Sequence, residues 1–198
     1  MMNNKGTLFV ITGPSGAGKG TVLKQVIQSL DRLYFSVSAT TRAPRQGEVD
    51  GVHYHFLTKE RFEELIANDR FLEYARYAEN YYGTPLDPVE EHLEQGHDVI
   101  LEIELQGALQ VKKRLPKAVL VFIAPPSFEE LESRLRGRGT EAEEVILKRL
   151  AIARQECANM DEFRYIVVND EVESAADRLR AIMLSHRCLR ENLSFTLN

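Results

Sequence analysis

A glycine-rich stretch, GPSGAGKGT at residues 13–21, stands between an apolar run, TLFVIT (7–12), and a helical pattern with Val22, Leu23, Val26, Ile27 and Leu30 on one face. No other feature constrains the fold as tightly. A strand that ends in glycines and turns into a helix brings backbone N–H groups together at the helix N-terminus, where an anion is favoured. Gly13, Gly18 and Lys19 fall at the spacing of the phosphate-binding loop, G-x-x-x-x-G-K-[ST], with the lysine placed to reach the β- and γ-phosphates. The candidate nucleotide loop is therefore Gly13, Pro14, Ser15, Gly16, Ala17, Gly18, Lys19, Gly20 and Thr21. One position departs from the pattern. Gly20 occupies the place of the hydroxyl that ligates Mg²⁺, and Thr21 comes one residue late. Mg²⁺ tolerates that loss by keeping phosphate oxygens and waters, so no direct side-chain metal ligand is expected.

Three more apolar runs, DVILEI (98–103), AVLVFI (118–123) and RYIVV (164–168), read as buried parallel strands, with YFSVS (34–38) as the candidate fifth. Helical patterns separate them, among them Val172, Ala175, Ala176, Leu179, Ile182 and Met183 near the C-terminus. Ser127 with Glu130 and Thr140 with Glu143 read as capping boxes, and Pro85 after Thr84 as a helix start with Thr84 as its N-cap. The expected fold is α/β, a parallel sheet of about five strands flanked by helices. The 198 residues fit a single domain (1–198). Its core is expected at 1–35, 97–130 and 159–198. Residues 36–96 lack long apolar runs and read as an inserted lobe. Residues 131–158 are rich in arginine and glutamate around RGRGT, with Gly137 and Gly139 as helix breakers, and read as a lid.

A net charge of −5 gives no global field toward nucleic acid or anionic membrane. Cys157 and Cys188 lack metal-ligand spacing, and no run approaches the length of a membrane span. MMNNKGTLFV leads straight into the first motif, so no signal peptide is expected and the protein is placed in the cytoplasm.

A second cationic segment, SVSATTRAPRQGEVDGVHYHF (36–56), sets Arg42 and Arg45 three apart with Tyr54 downstream. Two guanidinium forks and a phenol can clamp a phosphate dianion, although a solvated basic turn has the same composition. FLEYARYAENYYGT (71–84) adds Glu73, Tyr81, Tyr82 and Thr84, where a tyrosine pair by itself is more often core than ligand. These stretches, with GPSGAGKG, LEIELQGA, FIAPPS, RLRGRGT and VVND, resemble the guanylate kinase family along nearly the whole chain. The TTRxPRxGE-type segment carries more of that resemblance than the phosphate loop, which many families share.

The resemblance implies ATP-dependent phosphorylation of GMP, and of dGMP, in purine nucleotide metabolism and GMP recycling, with Mg²⁺ accompanying ATP. It makes ATP and GMP the partners and leaves the oligomeric state open. It assigns Arg42, Arg45, Tyr54 and Tyr82 to the GMP phosphate. Ser38, Glu73, Thr84, Glu102 and Glu104 fall to the guanine or its surroundings. Lys19, Arg42, Arg134, Arg138 and Arg149 are the residues of the transfer step, the last three as lid arginines. Asn169 corresponds to a contact with adenine, and Asp170 to a cap. Arg136, out of phase with its neighbours, is expected in solvent. At position 104 the family pattern has Asp, so the longer Glu104 leaves direct guanine contact open.

Guanine's edge supports Glu73 as the specificity residue. It offers N1–H and N2–H donors side by side, which one carboxylate can accept, whereas adenine would leave that carboxylate unpaired. Three other readings share part of the pattern: a kinase acting on AMP, a non-enzymatic binding module, and a kinase acting on a ribose phosphate.

Overall fold

The computed structural model describes residues 5–77, 79–137, 142–189 and 192. Five strands form the principal sheet: β1 (Leu8–Thr12), β2 (Leu33–Phe35), β7 (Asp98–Glu102), β8 (Val119–Ala124) and β9 (Tyr165–Val168), in the order β2-β7-β1-β8-β9. Every pairing is parallel, with Leu8 beside Val99 and Phe9 beside Val119. The fifth strand is the start of the run marked at 34–38, since Phe35 ends it and the chain leaves for a second sheet.

β1 and β8 are buried along their whole length, which is why they read as continuous apolar runs. Side chains alternate between two cores. Phe9, Ile11, Val121 and Ile123 pack against α1 (Lys19–Ser29) and α7 (Val172–Arg187). Leu8, Val10, Leu120 and Phe122 pack on the other face against α3 (Leu86–Glu94) and α4 (Leu105–Arg114).

The second sheet has four strands in the order β4-β3-β6-β5: β3 (Ala39–Thr40), β4 (His55–Phe56), β5 (Phe71–Tyr77) and β6 (Asn80–Pro85). A small core of Ala39, Phe62 and Phe71 joins it to α2 (Lys59–Ala67), with Phe62 stacked between Phe71 and Tyr81. All four strands lie within 36–96, yet the packing cuts that stretch differently. α3 sends Val89 into the principal core, with Leu86 and Leu93 against it, and belongs with the main sheet. A third cluster, Leu131, Leu135, Ile146 and Ala153, holds α5 (Phe128–Arg136) to α6 (Glu143–Cys157).

Ser127 caps α5 by accepting from the Glu130 N–H at 3.1 Å. The Thr140 cap, Gly139 and Arg138 lie outside the described residues. Thr84 is not the N-cap of α3. Pro85 holds that position in an extended conformation (φ −58°, ψ 135°), and the Thr84 hydroxyl turns to Glu73 instead. Cys157 and Cys188 are free thiols.

Candidate functional site

The site lies beyond the C-terminal ends of β1 and β7, the place where open parallel sheets bind ligands. The loop from β1 closes on itself through Ala17 N–H to Pro14 C=O at 3.0 Å, and Val22 N–H returns to Gly18 C=O as α1 begins. Gly18 is the N-cap of α1 at φ 85°, a left-handed conformation suited to glycine. A Cβ there would also come within 2.4 Å of Asn169 Nδ2. Lys19 donates to the carbonyls of Gly13 (2.6 Å) and Pro14 (3.3 Å), which folds its ammonium back over the loop. Burial pulls its pKa down, and Glu102, Glu156 and Glu104 oppose that pull. Ser15, Gly20 and Thr21 are exposed, while Gly13, Pro14 and Ala17 are buried, with Gly16 between.

Asn169 follows β9 and is 2% exposed. Its Nδ2 donates to Ala17 C=O at 2.7 Å and its backbone N–H to Ala124 C=O at 2.8 Å. The side chain thus braces the loop from behind through Nδ2, while its Oδ1 is buried with no hydrogen-bond partner among the described residues. Arg134 links α5 to the same place, donating to Asn169 C=O at 3.1 Å and to Glu130 at 3.0 Å. Asp170 accepts from Arg178 at 2.9 Å and from the Glu171 N–H, and these bonds hold its carboxyl down at about 2.

Two adjoining cavities open in front of the loop. The larger, about 670 Å³, is lined by Gly13, Ser15, Lys19, Arg149, Ile152 and Glu156. The smaller, about 290 Å³, is lined by Glu73, Tyr82, Gly83, Gln106 and Gly107. Ser38, Tyr54, Tyr77, Glu102, Ile103 and Glu104 face both, so a single ligand can reach from one into the other.

In the smaller cavity Glu73 is 6% exposed and accepts the Thr84 hydroxyl at 2.7 Å. Burial pushes its carboxyl pKa up, the bonds from Thr84 work against that, and the nearby Glu104 adds to it. Glu102 ends β7 and is also pushed up by burial, with Lys19 opposing. Glu104 is the exposed N-cap residue of α4, at the mouth of both cavities.

Arg42 is held away from the cavity walls. Its guanidinium forms a two-pronged bond to Glu48 (2.9 Å on each arm) and donates to Ala43 C=O. It lies 5.5 Å from the centre of the Tyr54 ring and 5.9 Å from that of Phe56. Glu48 also accepts the Arg45 backbone N–H at 2.7 Å, and the Arg42 bonds followed by this one bring its pKa down to about 2. The Arg45 side chain is exposed. Glu48 thus ties both arginines together. The sequence reading passed over it, though it stands inside the quoted TTRAPRQGE stretch. Glu156, half-buried on α6 and facing Lys19, left no comparable signal in the sequence.

Comparison with known proteins agrees with this layout. The family model described as "Guanylate kinase" matches residues 5–186. Curated guanylate kinases of Bacillus cereus and Desulfitobacterium hafniense are each 52% identical to the chain, over 98% and 95% of it and over 95% and 94% of their own lengths. The crystal structure of guanylate kinase from Anaplasma phagocytophilum superposes with a TM-score of 0.78 at 31% identity, covering 98% of this chain and 92% of that one. A match that runs from the phosphate loop through both sheets to the last helix makes this chain a member of the guanylate kinase family.

Proposed function

We propose that the chain transfers the γ-phosphoryl group of ATP to GMP, giving ADP and GDP, and accepts dGMP in the same way. The observation that carries this reading is the buried Glu73 carboxylate, bonded by Thr84, at the end of a cavity continuous with the phosphate loop. A buried carboxylate is costly unless something donates to it, and guanine supplies two donors at the right spacing. Adenine would leave it unpaired.

In this reading Lys19 and the loop N–H groups hold the β- and γ-phosphates, and the larger cavity takes the triphosphate. Arg42, Arg45, Tyr54 and Tyr82 hold the GMP phosphate, with Glu48 keeping the two arginines in register. Ser38, Thr84, Glu102 and Glu104 surround the base with Glu73. An ionised oxygen of GMP attacks the γ-phosphorus in line as the bond to the ADP oxygen breaks, so no general base is required. Arg134 and Arg149, with Arg138 outside the described residues, neutralise charge on the transferring group. Residues 36–85 act as the GMP lobe and 131–158 as the lid, closing to exclude water that would hydrolyse ATP.

The residues present fit a magnesium ion that enters with the nucleotide. A side chain added at Gly20 would meet open space, and among the described residues no three clustered side chains offer a ready-made cage. Phosphate oxygens and waters would hold it. When bound it offsets negative charge between the β- and γ-phosphates. Among the described residues no helix is long and apolar enough to cross a membrane, and we place the enzyme in the cytoplasm.

A coupled assay with ATP and GMP, dGMP or AMP tests the assignment. GMP and dGMP turnover with little AMP turnover is the expected result; AMP turned over as well as GMP would overturn it.

A further inference from the structure

Glu73 belongs by sequence to the insert, but three contacts tie it to the principal domain. A register shift in the β5–β6 ladder between Phe71 and Glu73 sends Leu72 into the main core, beside Ala108 and Val111 of α4. Two residues further on, at Tyr74, Gln110 of α4 acts as a surrogate strand. Its Nε2 donates to Tyr74 C=O at 2.9 Å, and its Oε1 accepts the Tyr74 N–H at 3.2 Å. Between these anchors the Glu73 carboxylate meets α4 at Gly107. An alanine methyl there would lie 2.6 Å from Glu73 Oε2 and 3.0 Å from Cδ, both too close for ordinary contact. Gly107 and Gln110 are three apart and therefore share the helix face that meets β5. Glycine is a poor residue for a helix, and this one sits in the first turns of α4 where alanine would favour the helix.

We infer that α4 is the positioning element for purine discrimination: Gly107 leaves the space in which the Glu73 carboxylate stands, and Gln110 fixes the backbone that carries it. The inference rests on the reading that Glu73 accepts from guanine. It adds that the base is read by a carboxylate clamped to the main domain, whereas the phosphate is gripped by arginines of the insert.

The test compares kcat/KM for GMP with that for inosine monophosphate, which lacks the exocyclic amino group. Gly107→Ala should lower the GMP preference roughly tenfold or more, since a displacement of about an ångström has effects of that order. KM for ATP should stay within about twofold of wild type, because the variant leaves the phosphate loop untouched. Glu73→Asp in the Gly107→Ala background shortens the carboxylate and should recover part of the preference. An unchanged ratio in folded Gly107→Ala, or an equal fall for both substrates, overturns the inference. If Gly107→Ala does not fold, Gln110→Ala decides by the same criterion. Glu73→Ala separates the two levels. If it keeps the GMP preference, the guanine reading itself fails; if it loses the preference while the α4 variants keep it, only the positioning role fails.

Discussion

The phosphate loop and the purine pocket of this chain solve opposite electrostatic problems by different means. The loop holds a cation, Lys19, with carbonyls five and six residues away in its own sequence, Gly13 and Pro14. The pocket holds an anion, Glu73, with a hydroxyl from β6 and an empty position on α4. Burial disfavours the charged form in both, pulling Lys19 down and pushing Glu73 up. Under the proposed function each awaits a ligand of opposite character: phosphate for the lysine, ring N–H donors for the carboxylate. The loop completes its geometry within a few residues, whereas the pocket needs the β5–β6 hairpin and, further along the chain, α4.

Substitutions can break that comparison at either end. The largest overall loss belongs to Lys19→Ala, which should cut kcat by roughly 10²–10³ or more for every acceptor while leaving the thermal midpoint close to wild type. Turnover near wild type in a steady-state assay would show that the lysine has no part in transfer.

Glu73→Gln acts at the other end and should sharpen the contrast. GMP selectivity falls, by up to roughly 10⁴ for a site built on such hydrogen bonds, while the unliganded protein becomes more stable at neutral pH. The sign follows from the raised pKa. The folded state takes up a proton before the unfolded state does, so wild type loses stability as pH rises from the unfolded value through the folded one. The variant lacks that loss, and melting curves across pH should converge on the acid side. In wild type, KM for GMP should rise as pH falls through the same window, because a protonated Glu73 accepts one donor fewer. A KM profile identical in the variant would remove Glu73 from base recognition.

Glu48→Gln tests the phosphate clamp. Loss of the charged two-pronged partner of Arg42 should raise KM for GMP about tenfold, with KM for ATP unchanged. A lower KM would mean that Glu48 competes with the phosphate instead of orienting the arginines. The smallest effect is assigned to Arg136→Ala. Arg136 is exposed and paired with Glu132 and Glu143 at the surface, so kcat should hold within about twofold and the thermal midpoint should stay close to wild type. A large fall in kcat would bring this arginine into the transfer step with Arg134.

Where the sequence was legible, the physics was local. β1, β7 and β8 could be read because buried parallel strands are continuous apolar runs, whereas the edge strands β2 and β9 are apolar but partly exposed, and the α5 cap could be read because Ser127 meets the Glu130 N–H three residues on. Thr84 was misread as a cap because the same hydroxyl suits either partner, and only the β5–β6 register placed Glu73 beside it. The bracing role of Asn169 was illegible for a similar reason: its motif marks a position near the nucleotide loop, but the Ala17 carbonyl that takes its amide comes from the other end of the chain. Glu156 and Gln110 gave no signal, since a polar residue on an amphipathic helix shows its role only when its neighbours are known.

The sequence by itself determined the phosphate loop, the parallel sheet beneath it, the family, and the residue types that can read guanine and grip phosphate. These depend on contiguous spacing, on apolar runs and on the chemistry of single side chains. Tertiary structure decided which of those side chains face a ligand and which face each other. It turned Asn169 inward to brace the loop, tied Arg42 to Glu48, gave α3 to the main core, and set Glu73 against Gly107. Except for Arg42–Glu48, which spans six residues, each of those outcomes is a contact between segments far apart in the chain, and such contacts form only when the fold closes.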